Sequence, residues 1–385
     1  MDFNYSDEQL MLRDTLSRYL ADHYSFEQRQ AAIRCAEGRR GSCWNELAEL
    51  GLFGILIPES QGGMGGGAVD VMIVMEAFGA ALVVEPFLGT VVIGGGLLRR
   101  AGGALAAQML PRIAAGEVRM AFASAEPESR YNLADLQTTA TRRGSSFRLN
   151  GRKAVVVGAP WATHFMVTAR TAGGRRDREG VSLLLIDRNA PGVRTLDYPT
   201  VDGGRASDLW FEDVELGPDA LIGEADAAWP LLEQVVDEAI VATCAETCGV
   251  MRRMLADTVD YARQRKQFGV PIGSFQALQH RMVDMHVHIE QTVSLTCVAA
   301  MKSEAVPLER ALAASTAKVK AARAAQFVGQ GAVQVHGGMG ITEELAVGHH
   351  FKRATVLEHA FGSADHHLGR YGELRRLQST ATAAR

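Results

Sequence analysis

The sequence predicts a mainly α-helical fold with a central β domain. The predicted order is a helical domain at residues 1–117, a middle β domain at 118–225 and a helical bundle at 226–385. Apolar residues recur every three or four positions up to about Gly116 and again from Ala227, as they do in amphipathic helices. Between about Arg119 and Glu224, short β-rich runs alternate with turn residues. The length of 385 residues allows two or three packed modules.

The first domain carries two local signals. Ser6 is followed three residues later by Gln9, which is the spacing of a capping box at the start of a helix. The glycine-rich run 61–67 interrupts the helical pattern. Each glycine inside a helix costs about 1 kcal/mol relative to alanine, so we expect a loop there. A phosphate-binding loop is not predicted, because no Lys-Ser/Thr pair follows the glycines.

The middle domain contains short runs that are typical of β-strands. The runs lie at 138–142, 147–149, 154–157, 164–169, 181–186 and 208–215. The dipeptide Asn150-Gly151 is predicted to form a hairpin turn, because these residue types accept the positive φ angles of tight β-turns. Together the runs predict a compact antiparallel sheet or barrel.

The last domain is predicted to be a bundle of long helices joined by short breaks. The breaks fall at 269–273, at Pro307 and at 337–340, where proline or glycine interrupts the helical pattern. The segment 311–330 is rich in alanine, which lets helices approach closely.

Composition and charge argue against several classes of function. The net charge of −4 offers no basic surface for nucleic acid. No window reaches the roughly 18 uninterrupted apolar residues that a membrane span needs, so no membrane span is expected. The first residues contain acids and lack a basic segment followed by an apolar run, so a secretory signal is not predicted. We therefore expect a cytoplasmic location.

The cysteines and histidines do not predict a metal site. The 5 cysteines are scattered and odd in number, which indicates reduced thiols. Cys244 and Cys248 lie four residues apart and are interpreted as small buried hydrophobes. Solvated or capping roles are predicted for the histidines near the end of the chain, which are His349, His350, His359, His366 and His367.

Three long motifs follow one another along the chain. They are IPESQGGMG at 57–65, YARQRKQFGVPIGSFQALQ at 261–279 and QVHGGMG at 334–340. These strings resemble the signatures of the acyl-CoA dehydrogenase family, in the same order and at the same places. The resemblance implies an amino-terminal helical domain, a middle β domain and a carboxy-terminal four-helix bundle, which agrees with the order indicated by periodicity.

The resemblance also implies FAD as the cofactor. In this family, FAD lies between the β domain and the bundle of one subunit, and its adenosine half reaches a neighbouring subunit. Tetramers are usual. Family positions that bind FAD correspond in this sequence to Arg265, Phe268, Gln276, Gln334 and Gly338.

The types of these residues suit a dinucleotide. An arginine can bind a pyrophosphate, an aromatic ring can lie against a flat heterocycle, and glutamines offer amides for hydrogen bonds. A glycine permits close approach of the backbone to a ligand. Considered alone, Arg265 could instead form an exposed salt bridge at a helix end, and the pair at 337–338 could simply end a helix.

Acyl-CoA dehydrogenation needs a carboxylate base near the α-carbon, and the matching position here lacks one. The resemblance implies a glutamate in the loop after the last GGxG motif, and this position is Phe361. Some relatives carry the base on the first helix of the bundle, at a position that corresponds to Ala239. Glu238, one residue earlier, is therefore a candidate base, although an exposed acid is the alternative interpretation. Glu358 is a further candidate.

The middle domain departs from the family pattern as well. Of the family's Thr-Glu-Pro string, Glu126 and Pro127 are present. Relatives often place a tryptophan and a threonine beside the flavin in the strand that follows Asn-Gly-x-Lys, but this chain has Val155 and Val157 there. The altered positions all belong to the half of the site that handles the chain's own acyl group.

The sequence most resembles the small, non-catalytic subunit of heteromeric acyl-CoA dehydrogenases such as pimeloyl-CoA dehydrogenase. The predicted function is FAD-dependent α,β-dehydrogenation of an acyl-CoA thioester to the trans-2-enoyl-CoA, with this chain completing a flavin site in a heteromer. The implied partners are the acyl-CoA substrate, a second dehydrogenase-like subunit and an acceptor such as electron-transfer flavoprotein. Two alternatives stay open: a silent structural subunit without its own flavin, and a self-sufficient homotetramer with a relocated base.

Overall fold

The computed structural model describes residues 4–35 and 41–383. The predicted outer ends of the first and third domains, residues 1 and 385, lie outside these ranges. Within them, no helix combines the length and the apolar character needed to cross a membrane.

Helices dominate both ends of the chain, and long strands occupy the middle. The helices are α1 (Asp7–His23), α2 (Phe26–Arg34), α3 (Gly41–Glu49), α4 (Ala68–Ala81), α5 (Gly96–Ala101), α6 (Gly103–Ala114), α7 (Trp229–Gln264), α8 (Gln276–Met301), α9 (Pro307–His336), α10 (Ala346–His359) and α11 (Ala364–Ala383). A π-helical segment, Leu88–Gly95, leads directly into α5. The strands are β1 (Met120–Ala123), β2 (Thr139–Arg143), β3 (Ser146–Val157), β4 (His164–Arg170), β5 (Val181–Asp187), β6 (Val193–Pro199), β7 (Arg205–Leu216), β8 (Leu221–Ile222), β9 (Lys266–Gln267) and β10 (Val270–Pro271).

The chain divides into two compact units. The helical unit comprises Met1–Ala31, Ala68–Val83 and Ile240–Arg385, and the sheet unit comprises Ala32–Gly67 and Val84–Ala239. The order of helices, sheet and helices along the chain is the order predicted from periodicity. The predicted domain boundaries after residues 117 and 225 stay a prediction.

The helix ends follow the predicted local chemistry. Ser6 Oγ accepts from the Gln9 amide at 3.2 Å and the Gln9 side chain accepts from the Ser6 amide at 3.1 Å, which confirms the capping box. Helix α9 begins at Pro307 and ends before Gly337, whose φ of 60° only glycine adopts readily.

In the helical unit, α4 and α7 approach too closely for any side chain at their contact. A Cβ added to Gly249 of α7 would overlap the carbonyl oxygen of Glu76 in α4, and a Cβ added to Gly79 would overlap that of Glu246. A separate core lies among α7, α8, α9 and α10 and includes Met251, Ile289 and Val328.

The sheet unit contains an eight-stranded sheet in the order β6-β7-β3-β2-β4-β5-β8, with β1 paired to β4. Its pairs are antiparallel except that β1 and β2 each pair with β4 in parallel. The prediction of an antiparallel sheet is therefore right for most pairs and wrong for these two. Strands β1, β6 and β8 of this sheet were not predicted from the sequence.

The predicted hairpin at Asn150-Gly151 is wrong. Both residues lie inside β3, where the register against β7 shifts between Leu149 and Gly151. A Cβ on Gly151 would lie 2.6 Å from Thr138 Cα, so the glycine permits a close backbone approach beside a bulge. The actual hairpin joins β2 to β3 between the paired residues Arg143 and Ser146, with Gly144 at φ 62°.

Candidate functional site

In the helical unit, one small apolar cluster holds two of the sequence motifs. Ala262, Ile272 and Val335 are buried together, and Tyr261 packs against them. The Tyr261 ring stacks on His336 with centroids 4.4 Å apart, and its hydroxyl donates to the His336 carbonyl at 3.4 Å. Residues at the end of α7 and at the end of α9 are thereby brought to one surface.

Arg265 lies at this surface, directly after α7, and is exposed. Its backbone is fixed, because its amide donates to the Tyr261 carbonyl and its own carbonyl accepts from the Ile272 amide, both at 2.8 Å. The nearby Arg263 forms an ion pair with Asp260 at 3.5 Å. Within the described ranges, Arg265 forms no such pair, so the alternative interpretation of a helix-end salt bridge is not supported. Its guanidinium is available to an anion.

Phe268 occupies the tip of the β9–β10 hairpin. Gln267 pairs with Val270, so Phe268 and Gly269 are the two central turn residues, with φ angles of 53° and 82°. A positive φ costs a bulky residue roughly 1 kcal/mol or more. The ring is nevertheless 92% exposed, with Phe275 edge-on at 6.1 Å. A strained and exposed aromatic residue is unusual unless a ligand or another subunit covers it.

The remaining predicted FAD-binding positions are exposed as well. Gln276 is the first residue of α8, and Gln334 lies in the last turn of α9. A Cβ added to Gly338 would meet no atom within 4 Å, so the space beside its backbone is open. These features fit a dinucleotide. They are an exposed guanidinium that forms no ion pair within the described ranges, an exposed aromatic ring, two exposed side-chain amides and a glycine with open space beside its backbone.

Phe361, to which the family resemblance assigns the position of the base, lies in the loop between α10 and α11. Phe361 has a φ of 56°, and its carbonyl lies 3.1 Å from His367 Nε2. A phenyl ring cannot accept a proton. Glu358 lies in the last turn of α10 and is partly buried.

In the sheet unit, Glu238 forms a shielded ion pair with Arg100. The two side chains are 10% and 12% exposed, and the side-chain oxygen of Gln234 also accepts from the Arg100 guanidinium. The alternative interpretation of Glu238 as an exposed acid is therefore wrong. A carboxylate committed to an arginine is a poor general base, because the ion pair favours its charged form.

The two valines at the family's flavin-facing positions are exposed, Val155 by 57% and Val157 by 62%. Val155 has a φ of 52°, which is strained for a β-branched residue. Asp208 holds it there by accepting from the Val155 amide at 3.1 Å. Asp208 also accepts from Tyr198 at 2.9 Å, and burial together with this carboxylate raises the pKa of Tyr198 to about 12.

A buried ion pair in the sheet unit was not predicted from the sequence. Lys153 Nζ lies 2.8 Å from Glu126 Oε1, and the side chains are 0% and 3% exposed. Burial lowers the pKa of Lys153 to about 8 against the opposing effect of Glu126. Burial alone would raise the pKa of Glu126, but Lys153 and the amides of Gln137 and Thr138 outweigh it and leave that pKa below its usual value.

The cysteine interpretation is confirmed, and the histidine interpretation is partly wrong. Cys244 and Cys248 are buried, as expected of small hydrophobes. Three of the histidines are buried rather than solvated, because their ring nitrogens hydrogen-bond within the helical unit; these are His349, His350 and His367. No spacing rule could reveal this, since the partners lie on other helices or on a loop.

The chain matches three family models. They are the N-terminal domain of acyl-CoA dehydrogenase at residues 6–117, its middle domain at 121–214 and its C-terminal domain at 229–373.

Similar proteins extend over nearly the whole chain. Acyl-CoA dehydrogenase FadE12 of Mycobacterium tuberculosis is 31% identical over 355 residues, which are 90% of each chain. The CarC subunit of the caffeyl-CoA reductase–Etf complex of Acetobacterium woodii is 30% identical over 79% of this chain and 81% of that protein. A chain in the structure of the ChsE4-ChsE5 complex from Mycobacterium tuberculosis has a TM-score of 0.86 at 26% identity, over 97% of this chain and 98% of that one.

The matched models follow one another in the predicted order and leave only short segments uncovered. The chain therefore belongs to the acyl-CoA dehydrogenase family of oxidoreductases, whose cofactor is FAD.

Proposed function

We propose that this chain takes part in the α,β-dehydrogenation of an acyl-CoA thioester to the trans-2-enoyl-CoA as the non-catalytic subunit of a heteromer. Its task is to complete a flavin site whose base stands on a different subunit. One observation carries this proposal. The candidate FAD-binding residues around Arg265 are exposed, whereas the position that the family resemblance assigns to the base holds the phenyl ring of Phe361.

The chain's own residues bind and orient the cofactor in this proposal. Arg265 would pair with the pyrophosphate, and Phe268 would lie against a ring edge of the dinucleotide. Gln276 and Gln334 would donate and accept hydrogen bonds, and Gly338 would let the backbone approach. FAD, when bound, supplies a hydride acceptor for the substrate's β-carbon.

In this proposal, the proton goes to another chain. Phe361 has no basic atom, and Glu238 is committed to Arg100. Val155 and Val157 supply neither an aromatic face nor a hydroxyl. A partner subunit with an intact carboxylate removes the α-proton in this scheme.

Exposed apolar residues on α8, which begins at Gln276, and on α9, which carries Gln334, support a covering subunit. On α8, Val283 is 58% and Val287 is 46% exposed, and on α9 Phe327 is 40% exposed. Apolar side chains gathered at a surface mark interaction sites more often than isolated ones do. The name of the ChsE4-ChsE5 complex also describes a two-component assembly within this structural group.

Electron-transfer flavoprotein is the proposed electron acceptor. The support is the relative CarC, which is named as a subunit of a complex with Etf. A cytoplasmic location stays part of the proposal.

The first experiment measures what the chain does alone. The purified chain is assayed with butyryl-CoA and a ferrocenium acceptor, and FAD is counted per chain. We expect no turnover. Turnover by the chain alone that the variant Glu238→Gln abolishes would support the self-sufficient alternative and refute the proposal.

The second experiment tests the shared flavin site. The tagged chain is isolated from its native host together with its partner, and FAD is counted per assembly for Arg265→Ala and for the matched control Arg263→Ala. We expect at least a tenfold weaker FAD affinity for Arg265→Ala and less than a twofold change for the control. Equal FAD content in both would favour a silent structural subunit.

A further inference from the structure

We propose that His367 is a positioning residue for the side chain at position 361, acting through a directed hydrogen-bond relay that begins at Arg370 and passes through Ser315. Lys318 holds the other end of the same loop. The relay itself is independent of flavin binding; the catalytic consequence drawn from it rests on the proposed function.

The loop between α10 and α11 turns through an unusual backbone. Phe361 has a φ of 56° and Gly362 a φ of 126°. A Cβ on Gly362 would lie 2.6 Å from His366 Cδ2 and 2.7 Å from His367 Nε2. Because a positive φ strains the backbone of a phenylalanine, surrounding contacts must stabilise this conformation.

The hydrogen bonds of His367 stabilise this conformation. The donor and the acceptor of each bond follow from which of its two atoms can carry a proton. Nε2 lies 3.1 Å from the Phe361 carbonyl, which only accepts, so Nε2 carries the proton. The imidazole is fully buried and its pKa is depressed to about 3, so it is neutral and Nδ1 is an acceptor.

Ser315 completes the relay. Its hydroxyl oxygen lies 3.3 Å from His367 Nδ1 and accepts from Arg370 Nη1 at 3.4 Å. The hydroxyl hydrogen therefore points to Nδ1. Arg370 donates to Ser315, Ser315 donates to His367, and His367 donates to Phe361.

Lys318 fixes the start of the loop. Its side chain is buried, and its ammonium donates to the Leu357 carbonyl in the last turn of α10. Burying an ammonium is costly unless it is hydrogen-bonded, and the Leu357 carbonyl supplies such an acceptor. Ser315 and Lys318 both lie on α9. Lys318 binds the Leu357 carbonyl directly, and Ser315 acts on the Phe361 carbonyl through His367, so one helix holds both ends of the segment 357–361.

The consequence is that the backbone sets the direction of side chain 361 independently of its identity. In this chain the residue at that position is a phenylalanine. The same loop backbone would hold a glutamate side chain in the same direction. A single substitution at position 361 therefore separates the effect of side-chain position from the effect of side-chain chemistry.

Hydrogen–deuterium exchange of the full chain tests the relay without any cofactor or partner. For His367→Ala we expect amides in the segment 357–367 to exchange at least tenfold faster. His367→Gln keeps one donor and one acceptor and should stay within twofold of the unaltered chain, as should His359→Ala, which alters an exposed histidine in the same segment. Exchange in His367→Ala within twofold of the unaltered chain would overturn the proposal.

Ser315→Ala is the second variant, because loss of His367 could prevent folding. It removes the middle hydroxyl and leaves the imidazole in place. Faster exchange confined to the segment 357–367 is expected, and unchanged exchange would contradict the relay.

A catalytic readout uses Phe361→Glu with bound FAD and butyryl-CoA. We expect measurable flavin reduction, a loss of at least tenfold in kcat with little change in KM when His367→Ala is added, and recovery with His367→Gln. Equal kcat with and without His367→Ala would overturn the positioning role. If the exchange results hold but Phe361→Glu stays inactive, the relay stands, and the missing carboxylate at position 361 does not by itself explain why the chain is inactive alone.

Discussion

Removing one partner of the buried pair of Lys153 and Glu126 is predicted to destabilise the sheet unit strongly. The perturbation is Glu126→Gln, which keeps the side-chain shape and removes the charge. Glu126 Oε1 lies 2.8 Å from Lys153 Nζ and 3.1 Å from the Thr138 amide, while Oε2 accepts from the Gln137 amide at 2.7 Å. A glutamine has one acceptor oxygen, so its amide nitrogen must face one of these donors.

The magnitude follows from burial. Removing one partner of a buried ion pair typically costs about 3–5 kcal/mol, because the remaining charge is left in a poorly polarisable interior. Lys153 has 0% exposure, so its ammonium cannot turn to water. We expect the free energy of unfolding to fall by about 3–5 kcal/mol. In a unit of this size, that loss corresponds to a decrease of roughly 6–20 °C in the thermal unfolding midpoint.

The assay is urea unfolding followed by circular dichroism and tryptophan fluorescence. Glu212→Gln is the matched control, because Glu212 pairs with Arg194 on the same sheet and the two side chains are 63% and 62% exposed. An exposed pair contributes about 0–1 kcal/mol, so the control should stay close to the unaltered chain.

A double-variant cycle completes the test. Adding Lys153→Met to Glu126→Gln removes both charges and should restore part of the lost stability. If Glu126→Gln unfolds within about 1 kcal/mol of the control, the reasoning about an uncompensated buried charge is refuted.

Three further predictions concern the helical unit. Gly249→Ala should cost several kcal/mol in urea unfolding, because its Cβ overlaps the Glu76 carbonyl, whereas Gly372→Ala has open space in α11 and should stabilise by about 0.5–1 kcal/mol. Burial lowers the pKa of His367 to about 3, so the unfolded chain binds its proton first, and stability should fall by about 1.4 kcal/mol per pH unit below pH 6.5 toward pH 3. Burial raises the pKa of Cys244 to about 12, so a thiol reagent should label exposed Cys35 long before Cys244.

Each of these has an outcome that would contradict it. Equal unfolding midpoints for the two glycine variants would mean that α4 and α7 can separate at no cost. The acid slope should be shallower in His367→Gln, and an unchanged slope would assign it to other groups. Mass spectrometry of the labelled, folded chain identifies the cysteines, and early labelling of Cys244 would show that its helix opens readily.

Local patterns made much of the fold predictable. The capping box at Ser6, the break between helices at Pro307 and the change from helical to strand periodicity depend on neighbouring residues, and all three are confirmed. The prediction of a hairpin at Asn150-Gly151 depended only on a dipeptide that favours turns, and it was wrong. The close approach of Thr138 and the register against β7 place a bulge there instead.

The sequence by itself determined the fold class and the family, because these are properties of residue order. It also predicted that Phe361 stands at the position of the family's base. Only the tertiary structure decided that Glu126 faces Lys153, that Glu238 is committed to Arg100 and that His367 holds the Phe361 carbonyl. Those contacts join residues on separate strands, helices or loops, and their energies depend on burial and hydrogen-bond direction. Neither quantity can be read from spacing along the chain.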